Sequence, residues 1–365
     1  MKQLNHLSYI GMFIAMFCTH LNLNAQLNTP RGSQNASVAQ TVGISKIYIN
    51  YSRPSVNGRV VWGKLVPYGM NNLGFGTAKE SPWRAGANEN TIIKFTDDVK
   101  IEGQPLKAGK YGLHMVIHDN NKATIIFSKN HTSWGSFFYD SAEDALKVDV
   151  SMSDIPHTEL LTFDFINVDA TSATAALKWE KKQIPFKVEF DVTNIVLTDM
   201  RNKMQDQPGF SRQTWEQAAA YAMNNGGDLN EALGWIDGAI AGNFYSQKNF
   251  NNLAIKGQIL NKMGKTAEYA TLMDEAAGLA NTNQLNNLGY QMLGIKDYDR
   301  AVKYFKQNVA NNPASANAYD SLGECYKTMG DKKNAIKSLK KALTLNPPAN
   351  VKANSEKLLS ELGAL

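Results

Sequence analysis

The chain is short of cysteine, of net charge and of long apolar runs. Its 365 residues include two cysteines, Cys18 and Cys325, and 38 basic against 33 acidic side chains, a formal charge of +5. That excess is mild and spread along the chain, which leaves no electrostatic case for a nucleic-acid partner. Histidine is scarce too. Beyond the first 25 residues there are His114, His118, His131 and His157. His114 and His118 suit a metal pair only on a helix; on a strand they stand roughly 13 Å apart, too far to share one ion. No metal site and no cofactor are expected. No Gly-x-Ser-x-Gly elbow occurs, and "GFGTAK" (Gly74 to Lys79) lacks the preceding strand, the following helix and the spacing of a phosphate loop. No catalytic residue is assigned.

What is present begins with an export-type N-terminus. Lys2 is followed by a short apolar run from Leu7 to Phe17, then "LNLNAQ" with small Ala25 at a cleavage position. The run is shorter than the ~20 residues a membrane span needs and has the signal-peptide layout. Met16 and Phe17 are too large for the residues before a lipid-modified cysteine, so Cys18 does not mark a lipid anchor. Residues 1–25 are expected to be a signal peptide, and the product periplasmic or extracellular, with no transmembrane segment after signal removal. A retained N-terminal anchor is the competing reading. Cleavage leaves Cys325 as the one thiol, which excludes an intramolecular disulfide, and leaves about 340 residues, enough for two ordinary cores.

The hydrophobic period changes near residue 200. From Lys46 to Thr198 it is two, in "KIYINY", "TIIKF", "DVKIEG", "YGLHMVIH", "ATIIFSK", "ALKVDVSM", "LLTFDFI", "ALKWE" and "IPFKVEF". Turn residues separate these blocks. About ten short strands with no helix among them predict an antiparallel β-sandwich or barrel, and we assign a sandwich to residues 26–199. Residues 200–210 read as a polar linker. From Ser211 to 365 the period is helical, with Asp228 and Glu231 spaced as a capping box.

The helical half contains a repeat. Gly289 and Gly323, Ala301 and Ala335, Phe305 and Leu339, and Pro313 and Pro347 are each 34 residues apart. Small residues let paired helices approach and Pro closes each unit. The stretches beginning "LGYQMLGIKDYDRAV" and "LGECYKTMGDKKNAI" resemble the tetratricopeptide repeat (TPR). Degenerate units around Ala232–Ala239 and Gly257–Gly264, and a capping helix from about Asn350 to Leu362, would complete a short α-helical TPR solenoid. The resemblance implies a protein or peptide partner in a groove lined by Asn283, Asn286, Tyr290, Asn317, Asp320 and Glu324. The acids would repel a C-terminal carboxylate, so a neutral or basic peptide is expected. Ordinary packing and solvation of the same residues is the alternative.

The ordered blocks "GRVVWGKLVPYG", "WRAGANENT", "KAGKYGL", "WGSFFY" and "LKWEKKQIPF" resemble a secreted β-domain family known as domain of unknown function 2911, over roughly Gln26 to Thr198. That resemblance implies no activity. "MNNLGFGTAKESP" (Met70 to Pro82) is an insertion relative to it. Within the motif loops, Arg53, Arg59 and Arg84 sit in Gly/Pro-rich turns, with Trp62, Trp83, Trp134, Asn88 and Glu89. Two arrangements suit these types. Glu89 can pair with Arg84 or Arg59 under a Trp, as a clasp. Or Arg53, Arg59, Trp62, Trp83, Arg84, Asn88 and Glu89 can line a site for an envelope glycan or small anionic ligand. Open Trp83 and Trp134 faces would favour the second. A glycosidase pair of Glu89 with Asp140, Glu143 or Asp144 is a weaker option. The reading is an exported binding or scaffold protein, with a carbohydrate-binding or carbohydrate-active module as the alternative.

Overall fold

The computed structural model describes residues 30–365, and the expected signal peptide lies outside the described residues. Two units follow one another, dividing between Phe190 and Asp191.

The first unit is built from ten strands: β1 (Gln34–Val42), β2 (Ser45–Arg53), β3 (Ile92–Phe95), β4 (Val99–Ile101), β5 (Gln104–Leu106), β6 (Gly109–Ile117), β7 (Lys122–Ser128), β8 (Asp144–Ser151), β9 (Ser153–Val168) and β10 (Ser172–Phe190). They form a six-stranded sheet in the order β1-β2-β3-β6-β7-β8 and a four-stranded sheet in the order β5-β4-β10-β9. Every pairing is antiparallel. Phe127 on β7 meets Phe186 on β10 edge-on at 5.9 Å, and Tyr51 on β2 meets Phe163 on β9 at 5.0 Å. The two sheets therefore share one apolar core, the layering that period-two blocks demand when one face of each is buried.

Two strands depart from the sequence pattern. β1 reads "QNASVAQTV", with only Val38 and Val42 as large apolar residues, and it is an edge strand paired to β2 alone. An edge strand with one light face carries little alternation, which is why the period-two pattern starts only at Lys46. "ALKWE" and "IPFKVEF" look like two strands but are one. Leu177 and Trp179 face inward at odd positions, and Ile184, Phe186 and Val188 at even ones. The phase changes where the pairing with β9 slips on either side of Glu180, whose φ is +53°. A bulge is what keeps both halves facing the core.

The second unit has ten helices: α1 (Val192–Met204), α2 (Arg212–Asn224), α3 (Leu229–Ile240), α4 (Phe250–Lys262), α5 (Thr266–Gly278), α6 (Thr282–Gly294), α7 (Tyr298–Asn311), α8 (Ala316–Thr328), α9 (Lys332–Leu343) and α10 (Ala349–Glu361). Helix α1 occupies residues read as the end of the β run and the start of a linker. Its Val, Ile and Thr content favours a strand, but Leu197, Met200 and Met204 share a helical face that packs on the α2–α3 core. Asp191 caps its first turn by accepting from the Asn194 N–H. The linker narrows to a 3-10 turn at Gln207–Phe210. The capping box expected at Asp228 is incomplete. Asp228 accepts from the Asn230 N–H, while Glu231 makes a two-pronged pair with Arg201 of α1, at 2.6 and 2.7 Å.

From α2 onward the helices pair as α2–α3, α4–α5, α6–α7 and α8–α9, with α10 covering Leu339 at the end. The repeat glycines explain the pairing. A methyl group at Gly289 would lie 2.6 Å from the Phe305 ring, and one at Gly323 would lie 2.6 Å from the Leu339 side chain. Gly257 faces Met273 in the same way. Each large residue sits in the space that the missing side chain leaves on the neighbouring helix.

Candidate ligand cleft in the β domain

Residues 54–91, between β2 and β3, carry most of the motif. They are held to both sheets by backbone bonds. Trp83 exchanges two 2.8 Å bonds with Met115 on β6, Gly69 donates to the Ile117 carbonyl at 2.8 Å, and Val56 donates to the Glu159 carbonyl on β9 at 2.9 Å. The inserted stretch folds back on itself, with Asn71 and Ser81 exchanging backbone bonds at 3.0 and 2.7 Å. Phe75 then packs edge-on against Phe137 and Phe138.

Between these segments lies a cleft of about 540 Å³, within the usual range for small-molecule sites. Four of the seven candidate ligand residues, Arg59, Trp83, Arg84 and Asn88, line it together. Trp62 stands behind them, edge-on to Trp83 at 5.9 Å. Arg53 and Glu89 lie elsewhere. Arg53 ties β2 to β9 through the Leu161 carbonyl at 2.9 Å and the Thr162 hydroxyl at 2.6 Å. Glu89 pairs with Arg31, not with Arg84 or Arg59, and Arg31 lies over the Trp134 ring at 5.9 Å. The clasp thus has the expected chemistry with an unforeseen arginine. Its hydrogen bond to Arg31 holds the Glu89 carboxyl below the usual range, but both side chains are about half exposed, so the pair adds little to stability. Trp134 is 50% exposed and does not line the cleft.

Arg84 differs from the other two motif arginines. Its guanidinium lies 5.0 Å from the Phe137 ring centre. It also abuts Gly135, where any side chain would overlap it. Gly135 has φ of +62°, so glycine suits the backbone as well. One Nη1–H donates to the Asn88 carbonyl at 2.6 Å. Burial lowers the Arg84 pKa. No carboxylate pairs with Arg84 or Arg59 among the described residues, and no Asp, Glu or His lines the cleft.

Several lining residues escaped the sequence reading. Trp179 stacks on Trp83 at 5.9 Å and 15°, is 1% exposed and lines the cleft. Its indole N–H has no acceptor among the described residues. Trp179 stands in "LKWEKKQIPF", one of the motif blocks, so its signal was present and unassigned. Asn71, Asn72 and Leu73 come from the insertion. Ser136, buried beside His114 (Nδ1 to Oγ, 3.0 Å), also lines it. Burial depresses the His114 pKa to about 4, so its imidazole is neutral at neutral pH and no acid orients it. Of the glycosidase candidates, Asp140 caps a 3-10 turn and Asp144 holds Tyr139 at 2.6 Å and Lys147 at 2.8 Å; Glu143 ends that turn.

In the helical unit the expected groove residues divide. Tyr290 donates to Glu324 at 2.8 Å, and Asp320 accepts from Asn354 at 2.9 Å and from Ser355. These bonds stitch α6 to α8 and α8 to α10. Asn283 and Asn317 are exposed, and Asn286 is half-buried with a buried side-chain oxygen that has no donor among the described residues. Cys325 is buried, and burial pushes its thiol up to about 11, leaving it unreactive.

Residues 33–188 match the family described as "Protein of unknown function (DUF2911)". The first unit is a DUF2911 domain. Residues 316–348, spanning α8 and α9, match the tetratricopeptide repeat. The cleft therefore belongs to the DUF2911 domain, and its walls come from the motif blocks and the insertion. No curated protein matches the chain. Solved structures similar to its helical part include a crystal structure of MamA, with 17% identity over 42% of this chain and 89% of that one and a TM-score of 0.32. MamA from Desulfovibrio magneticus RS-1 has 21% identity over 41% and 84%, with a TM-score of 0.30. YrrB, described as "a TPR protein with an unusual peptide-binding site", has 16% identity over 45% and 84%, with a TM-score of 0.31.

Proposed function

We propose that the protein is an exported binding and scaffolding protein, whose repeats engage a protein or peptide and whose DUF2911 domain holds a small ligand. The observation that carries the second part is the composition of the cleft. Two guanidiniums, amides and indole rings line it, with no carboxylate or imidazole among the described residues to move a proton. Such a set orients and holds a ligand; general acid–base cleavage of a sugar needs a pair of acids. The first part is supported by the repeat match and by exposed Asn283 and Asn317, whose amides offer donors and acceptors to a peptide backbone. Export is supported by the Lys2, Leu7–Phe17 and Ala25 pattern alone.

Cell fractionation with N-terminal sequencing tests export: the mature protein is expected in the envelope or medium, beginning at Gln26. A chain retained in the cytoplasm would refute it. For the repeats, crosslinked pull-downs are compared between the wild type and an Asn283→Arg/Asn317→Arg variant with an unchanged melting temperature. Loss of a specific partner is expected, and an identical partner set would remove the groove.

A further inference from the structure

Building on the reading of the cleft as a ligand site, we propose that it recognises an acidic sugar, a hexuronate unit, with Arg84 as the anchor for the carboxylate.

Arg84 is set before any ligand arrives. Phe137 and Gly135 both pack close to its guanidinium, and the Asn88 carbonyl holds one N–H. The remaining donors have no protein acceptor among the described residues. A partly desolvated cation held in one orientation gains most from an anion brought to it, because little conformational freedom remains to be lost. The planar fork of a guanidinium matches the two oxygens of a carboxylate. Arg59 spends two N–H groups on the Val56 and Ser55 carbonyls and adds a second positive charge to the same cleft.

The rest of the cleft suits a sugar body more than a bare anion. The guanidinium fork fits phosphate as well as carboxylate, so it is the neutral and aromatic lining that separates a sugar acid from a bare anion. Asn71, Asn72 and Ser81 supply neutral donors and acceptors, and half-buried Trp83, backed by Trp179, supplies aromatic surface. The Asn71–Leu73 wall comes from the insertion, so this chain's ligand is expected to differ from that of a DUF2911 domain lacking it.

The test is calorimetry with tryptophan fluorescence on the full mature chain, titrated with digalacturonate, its dimethyl ester, neutral digalactose and inorganic phosphate. Digalacturonate is expected to bind and perturb the fluorescence. The ester and the neutral sugar should bind about tenfold or more weakly, as a charge-assisted pair is lost. Arg84→Gln should weaken digalacturonate to the level of the ester, and Arg84→Lys should restore only part of it. If Arg84→Gln fails to fold, Arg59→Gln on the exposed turn serves, with a smaller loss expected. Equal binding of acid, ester and neutral sugar would overturn the acidic-sugar inference while leaving a sugar site. Tighter phosphate binding would overturn it in favour of another anion. If no probe binds, the inference falls; the ligand-site reading falls with it only if Trp83→Ala also leaves envelope-extract binding unchanged.

Discussion

At the scale of single residues, His114 shows how burial fixes protonation. It sits on β6, 2% exposed, with Ser136 on Nδ1 and the Tyr139 ring at 5.8 Å. Burial, assisted by the nearby Arg84 charge, brings its pKa down to about 4 from 6.5 in the unfolded chain. Between those values the unfolded chain binds a proton that the folded one refuses. Stability from this group is therefore full above pH 6.5, falls as pH drops toward 4, and falls no further below that. The interval corresponds to about 3 kcal/mol. Urea unfolding of the wild type at pH 7 and 4.5 is expected to differ by most of that amount beyond other titrations. His114→Phe should cost about 1–3 kcal/mol at pH 7 by stranding the Ser136 hydroxyl; at pH 4.5, where the wild type has lost most of the His114 contribution, the cost should vanish or reverse, so the pH difference shrinks. An unchanged pH difference would show that another group carries it. Arg84 makes the complementary point. Nothing in the sequence says that all three motif arginines will lack an acid among the described residues. Glu89 chose Arg31, which stands before β1 and outside every motif block, because the fold brings the two together. Residue types in a motif are legible in one dimension; pairings depend on strand order.

At the scale of elements, the repeat glycines carry a sharper prediction. Gly323 and Gly234 both lie inside helices, α8 and α3. A methyl group at Gly323 would press on the Leu339 side chain at 2.6 Å and its backbone nitrogen at 3.2 Å, whereas one at Gly234 meets nothing within 4 Å. Gly323→Ala is expected to destabilise the helical unit by about 1–3 kcal/mol through overpacking. Gly234→Ala should stabilise it by roughly 0.5–1 kcal/mol, since alanine loses less backbone entropy than glycine on folding. Thermal melts of both variants decide it: shifts of the same sign would undo this account of the 34-residue spacing. These positions were legible because a repeat states its constraint twice. The strand blocks from Lys46 to Phe190 were legible because one face of each is buried and the other is not. β1 was not, since an edge strand of Ala, Ser and Gln has little to alternate. Nor was α1, where β-branched residues contradicted the spacing of Leu197, Met200 and Met204, and packing on α2 and α3 outweighed propensity. The cleft was half legible: the motif named Arg59, Trp83, Arg84 and Asn88, but Trp179 reaches it from β10, nearly ninety residues beyond that loop.

At the scale of the whole molecule, each unit carries its own core. In the DUF2911 domain it lies between the two sheets, around Phe95, Phe127, Trp179 and Phe186. In the helical unit one cluster surrounds Trp235 and Ile236, and another surrounds Tyr304 and Phe305. A division at Phe190/Asp191 keeps β10 whole and leaves Asp191 in place to cap α1. Fragments 30–190 and 191–365 are therefore expected to fold separately, each with a cooperative denaturant transition. Their refolding rates should differ. The β fragment must bring β2 to β3 across nearly forty residues and close the 16- and 19-residue strands β9 and β10 in register around a bulge. The helical fragment forms each pair from neighbours joined by short turns. Local contacts fold faster, so the helical fragment should refold at least tenfold faster than the β fragment in stopped-flow measurements. A β fragment without a cooperative transition would mean that its core is incomplete at Phe190. Equal rates would mean that the helical repeats must assemble end to end before any pair is stable, as expected where the interface between repeats outweighs the stability of each one.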